Sequence, residues 1–283
     1  MSLPEIRVMT HGDIDLVMRL QEVVGWGNTR ADVERSLYYE PSGCFVASVG
    51  GIDVGMANSF LYGDVGFIGN LIVLPDTRRK GVGAALMKAV IDRLIQDGAG
   101  TIHLDAVQKA IPLYERLGFK AEYWSLRYNG TAMKAPHHSI EPMVKEDLEK
   151  VMVLDRRFFG LDRAQKLRRI QHDFPELCFK ASKGGVLHGF IMAKPGASNV
   201  RVGPWICDPK HTEYAEPLLN ALSSKANGRK LWVGIPELNK ASIKIVEGKR
   251  FTQMPSSLKM SYGVHKKVED TSGIFGVGAP DKG

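Results

Sequence analysis

Residues 71–83 read LIVLPDTRRKGVG: an apolar strand, a turn, three cationic residues and a pair of glycines. From Val82 onward, apolar residues recur at the spacing of an amphipathic helix, which Gly98 ends. The stretch therefore predicts a strand–loop–helix unit in which a loop with cations and glycines lies at the helix N-terminus.

The segments on both sides of this stretch alternate between helix and strand patterns. Further helices are predicted at 11–24, 30–39 and 111–117. Strands are predicted at 6–9, 44–49, 53–61, 67–74, 101–107 and 119–127. Gly50-Gly51 joins two of these strands into a hairpin. The strand–helix–strand order after residue 67 implies parallel pairing in a sheet that helices cover.

The pattern occurs twice along the chain. Residues 69–90 (GNLIVLPDTRRKGVGAALMKAV) align with 203–224 (GPWICDPKHTEYAEPLLNALSS), and both halves end in a strand, a helix, a phenylalanine and a closing strand. The sequence predicts an α/β protein with two domains of one fold, each a mixed twisted sheet flanked by helices. We place the domains at 1–130 and 139–263, separated by a polar linker and followed by a loosely ordered tail at 264–283.

Composition narrows the class of protein. Of 283 residues, 44% are hydrophobic and 24% are charged, which is typical of a globular chain. No apolar run reaches the ~18 residues of a membrane span, so no membrane association is predicted. Three cysteines without metal-type spacing favour a reducing, cytoplasmic location, and His137-His138 lacks a third ligand, so no metal site is predicted.

The charge is distributed unevenly between the halves. Up to residue 130 there are 13 basic and 15 acidic residues, a net charge of −2, whereas the remainder has 25 and 16, a net charge of +9. The densest basic stretch, 156–169, is interpreted as a solvated helix face, with a surface that attracts anions as the alternative. No basic motif with interleaved aromatic residues is present, so nucleic-acid binding is not predicted.

The loop between the strand and the helix carries groups that suit a pyrophosphate. The first turn of a helix exposes unpaired N–H groups and the positive end of the helix dipole. Gly81 and Gly83 lack a Cβ, so a ligand can approach the backbone closely. Arg78, Arg79 and Lys80 add positive charge. The loop lacks the Gly-Lys-Ser/Thr of a Walker loop and the third glycine of a dinucleotide fingerprint.

Two motifs follow one another in the first half. LIVLP at 71–75 precedes Arg78-x-x-Gly81-x-Gly83, and LYERLGF follows at 113–119. This arrangement resembles the GNAT superfamily of acetyl-CoA-dependent N-acetyltransferases, whose signature is Arg/Gln-x-x-Gly-x-Gly/Ala after L-x-V-x-P, with L-Y-x-x-x-G-F further on. The likeness covers roughly residues 5–128 and implies a GNAT-like fold with acetyl-CoA as the cosubstrate.

The resemblance implies a role for each matching residue. The backbone of Leu71, Ile72 and Val73 would hold the pantetheine arm of acetyl-CoA, and the loop would hold the pyrophosphate. Tyr114 would protonate the leaving thiolate. The cofactor-binding residues of the loop and its helix start are Arg78, Arg79, Lys80, Gly81, Val82, Gly83 and Ala84.

The sequence departs from the family pattern at the residue that would take a proton from the amine. Many members place a glutamate on the strand before the loop, but residues 66–70 read GFIGN, without a carboxylate. Asp105 is the candidate base, with His103 on the same face of its strand. Glu22 and Asp32 are further candidates, and an acceptor that arrives neutral needs no dedicated base.

The second half lacks the features that bind the cofactor. Glu213 stands in the loop where the phosphates would lie. Val246 takes the position of Tyr114, and Arg250 takes that of Gly118. This half therefore resembles the degenerate second domain of tandem GNAT proteins.

The leading prediction is an acyltransferase that moves acetyl from acetyl-CoA directly to a primary amine of a small molecule or a protein. The alternative is a non-catalytic acyl-CoA binding or sensing module, which the missing carboxylate favours and Tyr114 disfavours. An enzyme that uses a longer acyl-CoA is a third reading. The sequence leaves the acceptor and the oligomeric state open.

Overall fold

The computed structural model describes residues 3–131, 139–264 and 266–279. Most of the predicted linker, with His137 and His138, lies outside these residues, as does the end of the predicted tail. The described chain divides into two compact units, of which the first consists of residues 3–121 and 260–264. The other described residues form the second unit.

The first unit is a mixed sheet with helices. Its strands are β1 (Glu5–Val8), β2 (Cys44–Val49), β3 (Ile52–Tyr62), β4 (Val65–Val73) and β5 (Thr101–Val107). Its helices are α1 (Ile14–Val24), α2 (Arg30–Tyr39), α3 (Val82–Gln96) and α4 (Ile111–Arg116). Neighbouring strands from β1 to β4 are antiparallel and β4–β5 is parallel. The predicted helices and strands of this region are confirmed to within a few residues.

The second unit repeats this architecture. Its strands are β6 (Lys120–Gly130, whose first two residues lie in the first unit), β7 (Ile140–Pro142), β8 (Cys178–Lys183), β9 (Val186–Pro195), β10 (Val200–Cys207), β11 (Leu231–Pro236), β12 (Thr252–Gly263) and β13 (Ile274–Gly276). Its helices are α5 (Leu148–Phe159), α6 (Ala164–Asp173), α7 (Ala215–Lys225) and α8 (Lys240–Gly248). The element order from β7 to β12 matches that from β1 to β6.

The two repeats also agree in backbone detail. After α4, the N–H of Phe119 donates to the carbonyl of Tyr114 at 3.0 Å, and after α8 the N–H of Phe251 donates to the carbonyl of Val246 at 3.0 Å. The turn residue before each phenylalanine has a positive φ. The predicted correspondence of Val246 with Tyr114 is therefore confirmed, together with the twofold use of one α/β fold.

The closing strands differ from the predicted boundary at residue 130. Residues 125–130 of β6 pair with 231–236 of β11 inside the second unit. Residues 260–264, from the end of β12, belong to the first unit, where the N–H of Val264 donates to the carbonyl of Gly100 at 2.9 Å. Each unit therefore takes its last strand from the other half of the sequence. Local patterns predict that a strand exists but not which strand it pairs with.

The predicted loose tail is wrong for the residues around β13. β10 and β11 pair in parallel only as far as Val202 and Val233. β13 then pairs antiparallel with β10 beyond that point, through Trp205–Gly276 and Ile206–Ile274. The side chain of Phe275 is fully buried in the core of the second unit. The glycine-rich composition of the tail concealed one short apolar strand with a defined place in the sheet.

Side chains and a glycine fix this tail strand. Asn239 donates to the carbonyl of Ile274 at 2.9 Å, and Ser242 donates to that of Phe275 at 2.5 Å. Gly203 has a φ of +141°, and a Cβ there would lie 1.9 Å from the carbonyl oxygen of Val277. Only glycine allows the tail to approach this closely.

We expect Gly203→Ala to destabilise the protein by about 2–4 kcal/mol, because overpacking and backbone strain act together. The matched control is Gly184→Ala, at a φ of +59° with no atom within 4 Å of the added Cβ. This control should cost about 1 kcal/mol, from backbone strain alone. Denaturant unfolding measures both changes. Equal losses of unfolding free energy for the two variants would contradict close packing of the tail strand against Gly203.

Candidate functional site

β4 and β5 form a fork in the first unit. Their parallel pairing ends at Ile68 and Leu104. β4 continues to Val73 and β5 to Val107. Beyond the last pair, backbone groups of the diverging strands face the fork and can bond an added extended chain. Residues 71–73, which are predicted to hold the pantetheine arm, lie on this diverging part of β4.

A β-bulge bends β4 at the start of the fork. Asn58 of β3 pairs with Gly69, and Met56 pairs with Ile72, so β4 carries one residue more than β3 here. Asn70 lies in the bulge with a φ of +50°, a left-handed conformation that asparagine adopts more readily than most residues. The bulge ends the regular ladder just before Leu71.

The predicted phosphate loop connects β4 to α3. After a short 3₁₀ turn at Pro75–Thr77, Arg79 has a φ of +61° and Gly81 a φ of +82°. Gly81 is the residue before the helix, and the N–H of Ala85 donates to its carbonyl at 2.9 Å. The N–H groups of the first helical residues, Val82–Ala84, precede the ladder of α3, as an anion site at a helix N-terminus requires.

The space beside the two glycines tests whether a pyrophosphate fits. A Cβ at Gly81 would meet no atom within 4 Å, and one at Gly83 would make only ordinary contacts, at 3.8 Å to Val73 and 3.9 Å to Leu113. The backbone conformation requires a glycine at 81, but the packing of the chain itself does not require one at 83. The open space at both glycines fits a ligand that lies against the backbone.

The three cations of the loop are exposed. Arg78 donates from Nε to the carbonyl oxygen of Val73 at 2.9 Å, so its guanidinium lies back along the end of β4. Arg79 and Lys80 continue the positive charge towards the helix start. This charge adds to the helix dipole at the place where the pyrophosphate is predicted.

Tyr114 lies on α4 and is 8% exposed. Its ring packs edge-on against Phe119, with the ring centroids 6.0 Å apart. Burial raises the pKa of Tyr114 to about 12. The phenol therefore stays protonated at physiological pH, which is the form that a proton donor needs.

Two of the four candidate bases lie on helices. Asp32 is the third residue of α2 and accepts from the N–H and hydroxyl of Thr29, both at 2.9 Å. It also forms an ion pair with Arg35 at 2.9 Å. Asp32 is therefore a capping residue of α2. Glu22 lies on the exposed face of α1.

The other two candidates lie on β5. His103 is 3% exposed, stands in the paired part of the strand and packs against Phe67, with ring centroids 5.4 Å apart. Asp105 is half-buried and follows Leu104, the last paired residue. Asp105 thus lies where the fork begins and stays a prediction as the base.

Sequence reasoning missed a cluster of side-chain amides. Asn28 donates to Gln21 at 2.8 Å, and both also donate to Asn70 at 3.4 Å. With Asn58 these residues line a cavity of about 10 Å³ between α1, α2, β3 and β4. The available signal was a single asparagine inside each of the mainly apolar strands β3 and β4.

The corresponding region of the second unit differs. The tail strand β13 occupies the fork between β10 and β11, and the N–H of Val277 donates to the carbonyl of Gly234 on β11 at 2.9 Å. The loop after β10 begins with Asp208, which accepts from the N–H of Lys210 at 2.9 Å. At the position of Tyr114 stands the fully buried Val246.

The basic stretch at 156–169 is balanced by acidic partners. Its ion pairs are Arg156–Asp162, Arg157–Asp208 (2.8 Å), Arg163–Asp155 (2.7 Å), Arg168–Glu149 (3.1 Å) and Arg169–Asp173 (2.8 Å). The Arg163–Asp155 pair is almost fully buried, whereas most of the other arginines are exposed. These pairings favour the solvated helix face over a surface that attracts anions.

Two further searches cover the described residues alone. They contain no group of three or more His, Cys, Asp or Glu side chains with the arrangement of a metal site. Within the same residues, each helix is too short or too polar to cross a membrane.

Known proteins resemble this chain in sequence and in fold. The model of the acetyltransferase (GNAT) family matches residues 16–119, and that of an acetyltransferase (GNAT) domain matches 151–276. Acetyltransferase SG1711 of Sodalis glossinidius is 34% identical over 128 residues, which are 42% of this chain and 88% of the relative.

Two longer matches extend over both units. The uncharacterized N-acetyltransferase YitH of Bacillus subtilis is 24% identical over 223 residues, 75% of each chain. The crystal structure of a putative acetyltransferase from Pyrococcus horikoshii superposes with a TM-score of 0.83 at 25% identity, covering 99% of this chain and 96% of the other. With family models matching each repeat, the chain belongs to the GNAT acetyltransferase family and is an acyltransferase with two GNAT domains.

Proposed function

We propose that the first unit transfers an acetyl group from acetyl-CoA to the nitrogen of a primary amine. The observation that carries this proposal is the contrast between the two forks. The fork of the first unit adjoins a glycine loop with room for a ligand, whereas β13 occupies the fork of the second. One acetyl-CoA per chain is therefore the proposed stoichiometry.

The residues of the fork and loop divide the binding of the donor between them. The backbone at 71–73 would pair with the amide groups of the pantetheine arm, as a further strand would. The N–H groups at the start of α3, with Arg79 and Lys80, would hold the pyrophosphate. Acetyl-CoA supplies the activated acyl group, and holding it beside the amine supplies much of the acceleration.

Tyr114 is the proposed proton donor. As the amine nitrogen forms a bond to the acyl carbon, the carbon–sulfur bond breaks and the sulfur takes a proton from the phenol. The proton that the nitrogen loses then restores the phenol through solvent. Because the pKa of Tyr114 is about 12, the donor form persists through neutral pH and is lost only as the pH rises through that value.

The alternative function is a non-catalytic acyl-CoA binding or sensing module. It is favoured by residues 66–70, which contain no carboxylate to take a proton from the amine. Binding alone, however, gives no role to the hydroxyl of Tyr114. A substitution that removes only this hydroxyl separates the two functions.

We expect saturating acetyl-CoA to raise the thermal midpoint of the wild-type protein. At an acetyl-CoA concentration of 100 Kd, binding should stabilise the folded state by about 2.7 kcal/mol. The double variant Gly81→Glu/Gly83→Glu should show no such rise, because the added carboxylates occupy and repel the phosphate position. The matched control is Gly184→Glu/Gly185→Glu, at an exposed turn in the second unit. It should keep the shift. A full shift in the first double variant would contradict this position for the donor.

Tyr114→Phe should lower kcat by about 10²- to 10⁴-fold, the usual contribution of a positioned acid. The affinity for acetyl-CoA should stay within about twofold, since the ring and its packing remain. Tyr128→Phe is the control, because Tyr128 is also buried, lies in the second unit and donates to Glu247 at 2.9 Å. It should leave kcat unchanged. Unchanged turnover in Tyr114→Phe would exclude the phenol as the donor.

A further inference from the structure

The amide-lined cavity of the first unit has the size of one small polar group. Its volume of about 10 Å³ is close to the space that a single water molecule needs. A primary amine nitrogen with its hydrogens is of similar size. The cavity therefore admits one water or the head of an amine, and not a whole acceptor.

The side-chain oxygen of Asn58 is an acceptor without a donor among the described residues. This residue is 2% exposed, and no described residue donates to its side-chain oxygen. A buried acceptor left without a donor destabilises the empty cavity. A ligand with an N–H or O–H group placed in the cavity would remove this cost.

The remaining polar lining consists mainly of neutral groups. Asn70 already accepts from Gln21 and Asn28, and Ser36 donates to the carbonyl of Asp32 at 3.0 Å. These amides and the hydroxyl offer dipoles but no net charge.

Two ionisable residues line the cavity, Asp32 and Cys44. Both carboxylate oxygens of Asp32 are engaged, one by Thr29 and the other by Arg35. The ion pair with Arg35 balances its charge. Cys44 forms no disulfide and is 1% exposed. An ammonium ion in this cavity would meet no unbalanced negative charge, so its loss of hydration would not be repaid.

The cavity adjoins the proposed reaction site. Asn58 pairs across the sheet with Gly69, and Asn70 immediately precedes Leu71, the first residue proposed to hold the pantetheine arm. An amine nitrogen bound by these amides would therefore lie next to β4, the strand that is proposed to hold the pantetheine arm and its thioester. A neutral nitrogen already has the lone pair for attack, which fits the absence of a carboxylate at 66–70.

We propose that the amides of Gln21, Asn28, Asn58 and Asn70 receive the acceptor nitrogen in its uncharged form and so select weakly basic primary amines. This inference rests on the proposed acetyl transfer. The preferred class has an amine pKa near that of an α-amino group, about 8, in contrast to alkylamines near 10.4.

The test is the pH dependence of kcat/KM for glycinamide and n-butylamine, measured with the full chain and saturating acetyl-CoA. For n-butylamine, kcat/KM should rise about tenfold per pH unit between pH 7 and 9, following the neutral fraction of the amine. For glycinamide it should level off above pH 8. A profile that is flat for n-butylamine, or that falls for glycinamide above pH 8, means that the ammonium form binds and overturns the inference.

Asn70→Asp supplies the charge that the cavity lacks and keeps a residue that tolerates a positive φ. Because the new carboxylate can bind the ammonium ion and take its proton before the attack, the variant should raise kcat/KM for n-butylamine at pH 7 by about tenfold or more, with little change for glycinamide. Asn227→Asp is the matched control, an exposed asparagine at a φ of +51° in the second unit. It should change neither value. An equal response of the two variants would overturn the role of the amide cluster.

Asn58→Asp places the same charge in the cavity from the neighbouring strand β3 and should have the same effect. The acetyl-CoA thermal shift reports whether each variant is folded. If no amine is acetylated at any pH although acetyl-CoA binds, the proposed transfer fails and the inference fails with it. If both amines are acetylated with the profile of a bound ammonium ion, the transfer stands and only the inference is overturned.

Discussion

Two parallel strands that pair and then separate leave backbone N–H and C=O groups that must bond to something else. This constraint occurs once in each unit, between β4 and β5 and between β10 and β11. In the second unit the tail of the chain supplies these bonds, because β13 pairs with β10 and the next residue, Val277, donates to Gly234 of β11. In the first unit no strand of the described residues enters between β4 and β5. The opening proposed for acetyl-CoA is thus a place that this fold fills with extended chain.

The elements that sequence predicted well are those set by local chemistry. The apolar stripe of α3 was visible from its spacing, and Leu86, Val90 and Leu94 are buried as that spacing requires. The hairpin at Gly50-Gly51 is also predicted from local chemistry, because a glycine pair between two apolar runs favours a tight turn. Both glycines adopt the positive φ that such a turn needs. The position of β13 beside β10 and the pairing of β6 with β11 depend on contacts between segments that are distant in sequence. No local period encodes such contacts, so local patterns predict a loose tail and a domain boundary at residue 130, whereas the first segment of the first unit ends at residue 121.

The same division applies to the candidate site. Tyr114 and the glycine loop lie in contiguous motifs, so their residues could be predicted. The amide cluster draws its members from α1, the loop after it, β3 and β4, and the bulge at Asn70 brings them together. Asp32 shows the opposite error, because it was considered as a base although Thr29 three residues earlier already formed the signature of a capping box. The spacing of Thr29 and Asp32 was a local signal, and it favoured a helix-capping role for Asp32 over a catalytic one.

The two repeats show what the fold needs at the position of Tyr114. Tyr114 and Val246 accept the same backbone hydrogen bond from the phenylalanine five residues on, and both side chains are buried. A valine therefore suffices for the turn and for the packing. Among the described residues none hydrogen-bonds the hydroxyl of Tyr114, and burial raises its pKa to about 12. The fold therefore does not need the hydroxyl of Tyr114, which is consistent with the proposal that this group serves the acyl donor, by giving a proton to the sulfur that leaves.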